Sequence, residues 1–261
     1  MDSQGIFFLF QRELGFIFNI PDWGAVPSLM CGRPMVGHAV WVPEMLCRIK
    51  PALCSIQDVV DKSKQNNMKM IAQAVPTGDN ELDLRAWKKT QDEIDREIAF
   101  MIDDWDKLTE KLGHDVVVAV RRAIWERHGN ATEWAVRVID DFRAGLINDA
   151  CSYCSVHRPA THDDVVAAIM VAREGYDSEE VMSWTSDFAK AYRQVAQSVK
   201  QLHLTVVAQW CPHVKKSVFI ISAGQLFGGK TPPQNFSRHP AWWCYLMAPM
   251  KEFHFNTLLT M

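Results

Sequence analysis

Val116-Val-Val-Ala-Val-Arg-Arg-Ala-Ile-Trp-Glu126 and Glu133-Trp-Ala-Val-Arg-Val-Ile-Asp-Asp-Phe142 are the two stretches that decide the fold class. Both are rich in Val, Ile and Trp, which suit a pleated, half-buried surface, and Arg127-His128-Gly129-Asn130 between them supplies the Gly and Asn of a tight turn. The pattern predicts a β-hairpin. Upstream, Ile94, Ile98, Met101, Trp105, Leu108 and Leu112 recur at steps of three and four. That spacing predicts one amphipathic helix from Thr90 onward, its charged face in solvent and its end at Gly113. Downstream, Val181 to Phe188, Leu204 to Trp210 and Ser217 to Ser222 read as strands, the first two joined by a helix from Ala189 to Leu202. Asp163 to Glu174, with Thr161 to cap it and Gly175 to close it, reads as a short helix, and Asn235 to Met247 as another.

Residues 1–80 form an irregular leader in this reading, because Pro21, Pro27, Pro34, Pro43, Pro51 and Pro76 interrupt it, with short helices only around Glu44 to Ile49 and Ile56 to Ala74. Residues 81–114 are then the amphipathic helical segment. The expected fold is α+β, with the hairpin and an antiparallel sheet covered by helices on one side. At 48% hydrophobic and 23% charged, the 261 residues carry enough apolar material for a core, which excludes a fibrous or disordered chain. Apolar runs such as Gly5 to Phe10 fall short of a bilayer span. With no basic flank and small-residue cleavage site at the N-terminus, and seven irregularly spaced cysteines, the expectation is an intracellular protein, cytoplasmic or nuclear, neither secreted nor membrane-bound.

The net charge is only -3, but it is unevenly distributed. From Phe188 to Met261 eight Lys and Arg face Glu252 alone, a balance of +7 that leaves -10 for the rest. A basic final third suggests a face that meets phosphates, or else a solubilising surface.

Three segments carry candidate chemistry. Trp184-Thr-Ser-Asp187-Phe188 puts a carboxylate at the end of an apolar strand, where it suits Mg²⁺, although a strand-end Asp is more often a turn residue. Gln225-Leu-Phe-Gly228-Gly229-Lys230-Thr-Pro-Pro233 is a glycine loop with a Lys for phosphate, entering a helix at proline, without the spacing of a Walker loop. Arg137-Val-Ile-Asp140-Asp141-Phe142-Arg143 puts two guanidiniums on the hairpin, for a triphosphate or a nucleic-acid backbone. Their bland alternative is pairing with Asp140, Asp141 or Glu133.

Over residues 115–240 these segments, in this order, resemble the fingers and palm of retroelement reverse transcriptases. Asp187 with Ala191-Tyr192 resembles the family's first palm motif. Gly228, Pro233 and Phe236 resemble its second, and Arg137 to Arg143, with Asn148 beyond, its fingers strand. The resemblance implies RNA-directed DNA synthesis by two-metal phosphoryl transfer. Asp187 would be the catalytic metal carboxylate, with the Phe188 carbonyl as a second Mg²⁺ ligand. Tyr192 would lie under the incoming sugar, Arg137 would steady the triphosphate, Gly228, Gly229 and Lys230 would line the loop beneath the templating pair, and Arg143 would meet the template. The partners implied are an RNA or DNA template-primer and deoxynucleotides.

The sequence departs from the family at its third palm motif, Tyr-x-Asp-Asp, since no Asp follows Asp187. Residues 115–261 are therefore expected to be fingers and a truncated palm, unable to extend a primer alone unless a partner chain completes it, or a remnant that binds nucleic acid without catalysis. Cys151-x-x-Cys154-x-x-His157-x-x-x-x-His162 offers four zinc-type ligands, but the spacing fits no standard finger and ordinary loop residues are the preferred reading. Trp242-Trp243 suits either base stacking or a core.

Overall fold

The computed structural model of the chain describes residues 2–22, 24–40, 46–127, 133–156, 163, 166–167, 169–170 and 191–247. At its centre is a five-stranded sheet built from β2 (Ala99–Ile102), β3 (Val118–Glu126), β4 (Ala135–Asp141), β6 (Val206–Cys211) and β7 (Lys216–Ser222), in the order β2-β7-β6-β3-β4. The expected hairpin is there: β3 and β4 are antiparallel, with Ile124 opposite Arg137. A second hairpin, β6 with β7, joins it by a parallel pairing of Val118 with Val206. The sheet is therefore mixed, not antiparallel throughout. β1 (Leu46–Lys50) and β5 (Tyr153–Val156) form a separate two-stranded ribbon, so a strand stands where a helix around Glu44 to Ile49 was expected.

Alternation along the strands sorts side chains onto two cores. Val117, Ala119, Val207, Val218 and Ile220 face Trp87 and Ile94 of α4 (Asn80–Asp95) and Val59 of α3 (Ile56–Gln73). Val116, Val118, Val120, Val206, Ala208, Phe219 and Ile221 face Leu108 of α5 (Trp105–Leu112) and Met70 at the far end of α3. Both faces are covered, against the expectation of helices on one side. Continuous burial of this kind explains why Val116 to Val120 read as an unbroken apolar run, and each such Val contributes about 1.5–3 kcal/mol.

The single helix expected from Thr90 to Leu112 is two helices with a strand between them. Ala99-Phe-Met-Ile pairs with β7, Ala99 opposite Ser222, and that pairing overrides a helical periodicity that the same residues also satisfy. Local caps mark the breaks: Asp79 accepts from the Glu81 and Leu82 amides, Asp104 from those of Asp106 and Lys107, and Gly113 closes α5 at φ 85°. Similarly, Ser55 and Asp58 form a capping box on α3, the helix that the Pro51 to Pro76 interval leaves room for. In place of the helix expected from Ala189 to Leu202, the described part has two short 3₁₀ turns, Ala191–Gln194 and Val199–Leu204. Val181–Phe188 and the turn residues 128–132 lie outside the described residues, as does most of Asp163–Glu174.

The leader is more ordered than its prolines suggest. It contains α1 (Asp2–Ile17) and α2 (Ala25–Cys31), and residues 33–36 run beneath the C-terminal third. There Gln201 accepts from the Met35 and Val36 amides at 2.9 and 3.0 Å, Thr231 donates to the Met35 carbonyl, and Asn235 donates to that of Pro34 at 2.8 Å. α6 (Pro232–Met247) packs against α1 and α2 through Trp242. No helix of the described residues is long and apolar enough to cross a membrane.

Candidate nucleotide site

Arg137 lies on β4, an edge strand whose neighbour β3 offers Glu126, and Arg137 Nη1 donates to Glu126 Oε1 at 2.7 Å. Its guanidinium also stands 5.1 Å from the centre of the Phe227 ring, within cation–π range. Phe227 is exposed on the turn after Leu226. Tyr192, from the 3₁₀ turn Ala191–Gln194, also meets this ring, with ring centres 5.5 Å apart and planes tilted by 32°. Tyr192 is braced from behind by Phe236 of α6, edge-on at 6.0 Å, and burial pushes its phenol pKa up.

The glycine loop follows directly. Gly228 has φ 103°, and a Cβ there would fall 2.2 Å from the Asp140 carbonyl oxygen, so only glycine permits this approach of loop to hairpin. A Cβ on Gly229 would meet Met35 Cε and Pro232 Cδ at 2.9 Å. Asn148, in the turn after β4, holds the loop by its backbone: Nδ2 donates to the Gly228 carbonyl at 3.0 Å and Oδ1 accepts from the Lys230 amide at 2.9 Å. Lys230 Nζ in turn donates to the Asn148 carbonyl at 2.6 Å. The lysine expected to be a mobile cation is tethered, with Asp149 3.9 Å away.

The structure thus brings together Arg137, Tyr192, Gly228, Gly229 and Lys230 from three segments, while Arg143 is exposed on the turn beyond β4. Asp187 and Phe188 lie outside the described residues. Sequence reasoning missed Phe227, although it sits inside the quoted loop, and gave Asn148 no role. It also missed a buried ionic cluster one layer inward. Arg121, on β3, makes two bonds to Asp140 of β4, Nε to Oδ1 at 2.6 Å and Nη2 to Oδ2 at 3.2 Å, and a third to Thr90 at 3.0 Å. Glu93 of α4 meets Arg193 Nε at 3.0 Å and Arg121 Nη1 at 3.6 Å, and Arg193 Nη1 donates to Ser222 at 2.8 Å. Burial works to lower the Arg121 pKa, but Asp140 and then Glu93 outweigh it and the net shift is upward. For Arg193, burial and repulsion from Arg121 win and the shift is downward.

Among the described residues of the basic final third, four cations are paired with acids. Arg193, Lys216, Lys230 and Arg238 reach Glu93, Asp103, Asp149 and Asp22 respectively, all of them acids of the first two-thirds. Cys151 is buried with its thiol donating to the Ile147 carbonyl at 3.3 Å, and burial raises its pKa, which disfavours a zinc thiolate. Among the described residues no group of three or more His, Cys, Asp or Glu is placed to hold a metal, while His157 and His162 lie outside them. Trp242 is buried and packs edge-on against Trp243 at 5.3 Å, as a core pair. Compared with protein-family models, with curated proteins and with solved structures, the chain matches none.

Proposed function

We propose that this chain is a reverse-transcriptase-like fingers-and-palm protein that binds a deoxynucleoside triphosphate against an RNA or DNA template at Arg137, Phe227 and Tyr192. One observation carries the reading: Arg137 and Tyr192, singled out on two separate segments, both meet the ring of Phe227 on the third, at 5.1 Å and 5.5 Å from its centre. A guanidinium beside exposed aromatic surface suits a ligand with phosphates at one end and a flat base or sugar at the other. In this reading Arg137 exchanges Glu126 for a phosphate, Tyr192 lies under the sugar, and Gly228 and Gly229, packed against Asp140 and Met35, form the loop beneath the templating pair, with Arg143 toward the template. Lys230 acts through the loop that it ties to Asn148.

Mg²⁺ belongs to the same reading through Asp187 and the Phe188 carbonyl, and when bound it would supply charge neutralisation for the triphosphate. The only acid after Asp187 is Glu252, so the Tyr-x-Asp-Asp carboxylates that the resemblance implies are not found among residues 188–261. Binding is therefore expected from these residues, and primer extension is not. The reading is tested by titrating the full chain with a fluorescent deoxynucleoside triphosphate, with and without a template-primer duplex. Saturable binding that tightens with duplex and is lost in Arg137→Ala and Tyr192→Ala is expected. No saturation, or binding indifferent to both substitutions, overturns it.

A further inference from the structure

We infer that the Glu93–Arg121–Asp140–Arg193 cluster is a positioning device that sets Tyr192 against Phe227. What the platform binds rests on the reading above; the positioning does not. The cluster touches all three segments that build the platform. Asp140 anchors the hairpin three residues beyond Arg137: its carboxylate pairs with Arg121 and stands 3.8 Å from Arg193, and its own carbonyl is the atom that Gly228 approaches. Arg193, next to Tyr192 in the chain, is held by Glu93 at 3.0 Å and by Ser222 at 2.8 Å.

From there the turn is laced to the strand that leads into the loop. Ser222 Oγ donates to the Gly224 carbonyl at 2.8 Å, the Gln225 amide to that of Val195 at 2.9 Å, and the Gln197 amide to that of Ala223 at 2.6 Å. A Cβ on Gly224 would fall 2.6 Å from the Arg193 carbonyl, so turn and strand are in close backbone contact. The side chains of Arg121 and Asp140 are each 2% exposed, and those of Glu93 and Arg193 12% and 13%, so water cannot substitute freely for a lost partner. Two arginines and two carboxylates are neutral together, and removing one charge leaves the rest unbalanced. Arg193, the less enclosed arginine, is the member that moves, and Tyr192 moves with it.

The test uses the full chain labelled with 3-fluorotyrosine and read by fluorine NMR, with the Tyr192 resonance assigned by its loss in Tyr192→Phe. In Glu93→Gln the Tyr192 resonance is expected to shift or broaden while the other tyrosines hold their positions, and Glu93→Asp is expected to restore it in part. Ser222→Ala, which removes one acceptor from Arg193 together with the bond to the Gly224 carbonyl but leaves the charges in place, gives a smaller shift and serves if Glu93→Gln does not fold. A Tyr192 resonance unmoved in the folded variants overturns the inference. The same samples are then titrated with the fluorescent triphosphate, and affinity is expected to fall about tenfold in Glu93→Gln. A shifted resonance in a protein whose wild type binds no triphosphate leaves the positioning standing and removes the proposed ligand. Binding in the wild type with an unmoved resonance does the reverse.

Discussion

Arg121 and Arg137 sit on the two strands of one hairpin, yet they belong to different chemistries. Arg121 has a side chain 2% exposed, doubly bonded to Asp140 and fixed by Thr90. Arg137 is 41% exposed, with one carboxylate contact among the described residues and an aromatic ring beside it. A buried guanidinium that has already traded water for carboxylates has nothing left to offer a ligand. A half-exposed one can exchange its partner at little cost, because such pairs are worth at most about 1 kcal/mol. The contrast assigns structure to the inner arginine and leaves the outer one available for the proposed recognition.

The largest effect expected on this contrast comes from Asp140→Ala, which strands Arg121 in the core. Denaturant unfolding should show a loss of about 3–5 kcal/mol, as for other broken buried pairs. A change below about 1 kcal/mol would mean that the cluster is hydrated, and the distinction between the two arginines would fail.

Acid supplies a second, smaller probe of what burial does to a cation. His239 is pushed down to about 4 by burial and then by the nearby Arg33, and its Nε2 accepts from Trp243 Nε1 at 3.2 Å. Its unfolded pKa is about 6.5, so between these values the unfolded chain binds the proton and the folded chain does not. This site's contribution to stability is therefore present above about pH 6.5 and is lost as pH falls toward 4, by up to about 3 kcal/mol. The pH dependence of thermal unfolding, compared between wild type and His239→Gln, checks it: the variant should lose less stability across that window.

At the junction of the two regions, Gly228→Ala adds a Cβ that would lie 2.2 Å from the Asp140 carbonyl, at a backbone angle that alanine resists. A cost of about 1–3 kcal/mol is expected, together with weakened triphosphate binding. The smallest stability effect belongs to Arg137→Ala, within about 1 kcal/mol of wild type by the same denaturant measurement, even though binding is lost. A large destabilisation there would make Arg137 a second structural arginine.

Much of the architecture was legible in the sequence. The β3–β4 hairpin, α3, β6, β7 and α6 follow from β-branched runs, helical spacing and turn residues, all of which are local signals. β2 was not, because Ala99 to Ile102 fit a helical stripe as well as a strand, and only the presence of β7 as a partner decides between them. Of the candidate site, Arg137 and the Gly228 loop were singled out from their residue types, and Tyr192 from the resemblance alone. Phe227 was passed over because an aromatic in a loop has no local mark that separates a platform from a core residue.

The charges divide the same way. By itself the sequence determined that the chain folds as α+β and that its last third carries an excess of positive charge. Only the tertiary structure decided where that charge goes: Arg193, Lys216, Lys230 and Arg238 lie against acids from the first two-thirds. The physical reason is that helix and strand signals act over a few residues, whereas a Coulomb pair depends on distance in space and on the water excluded around it, and both are fixed only when distant segments pack.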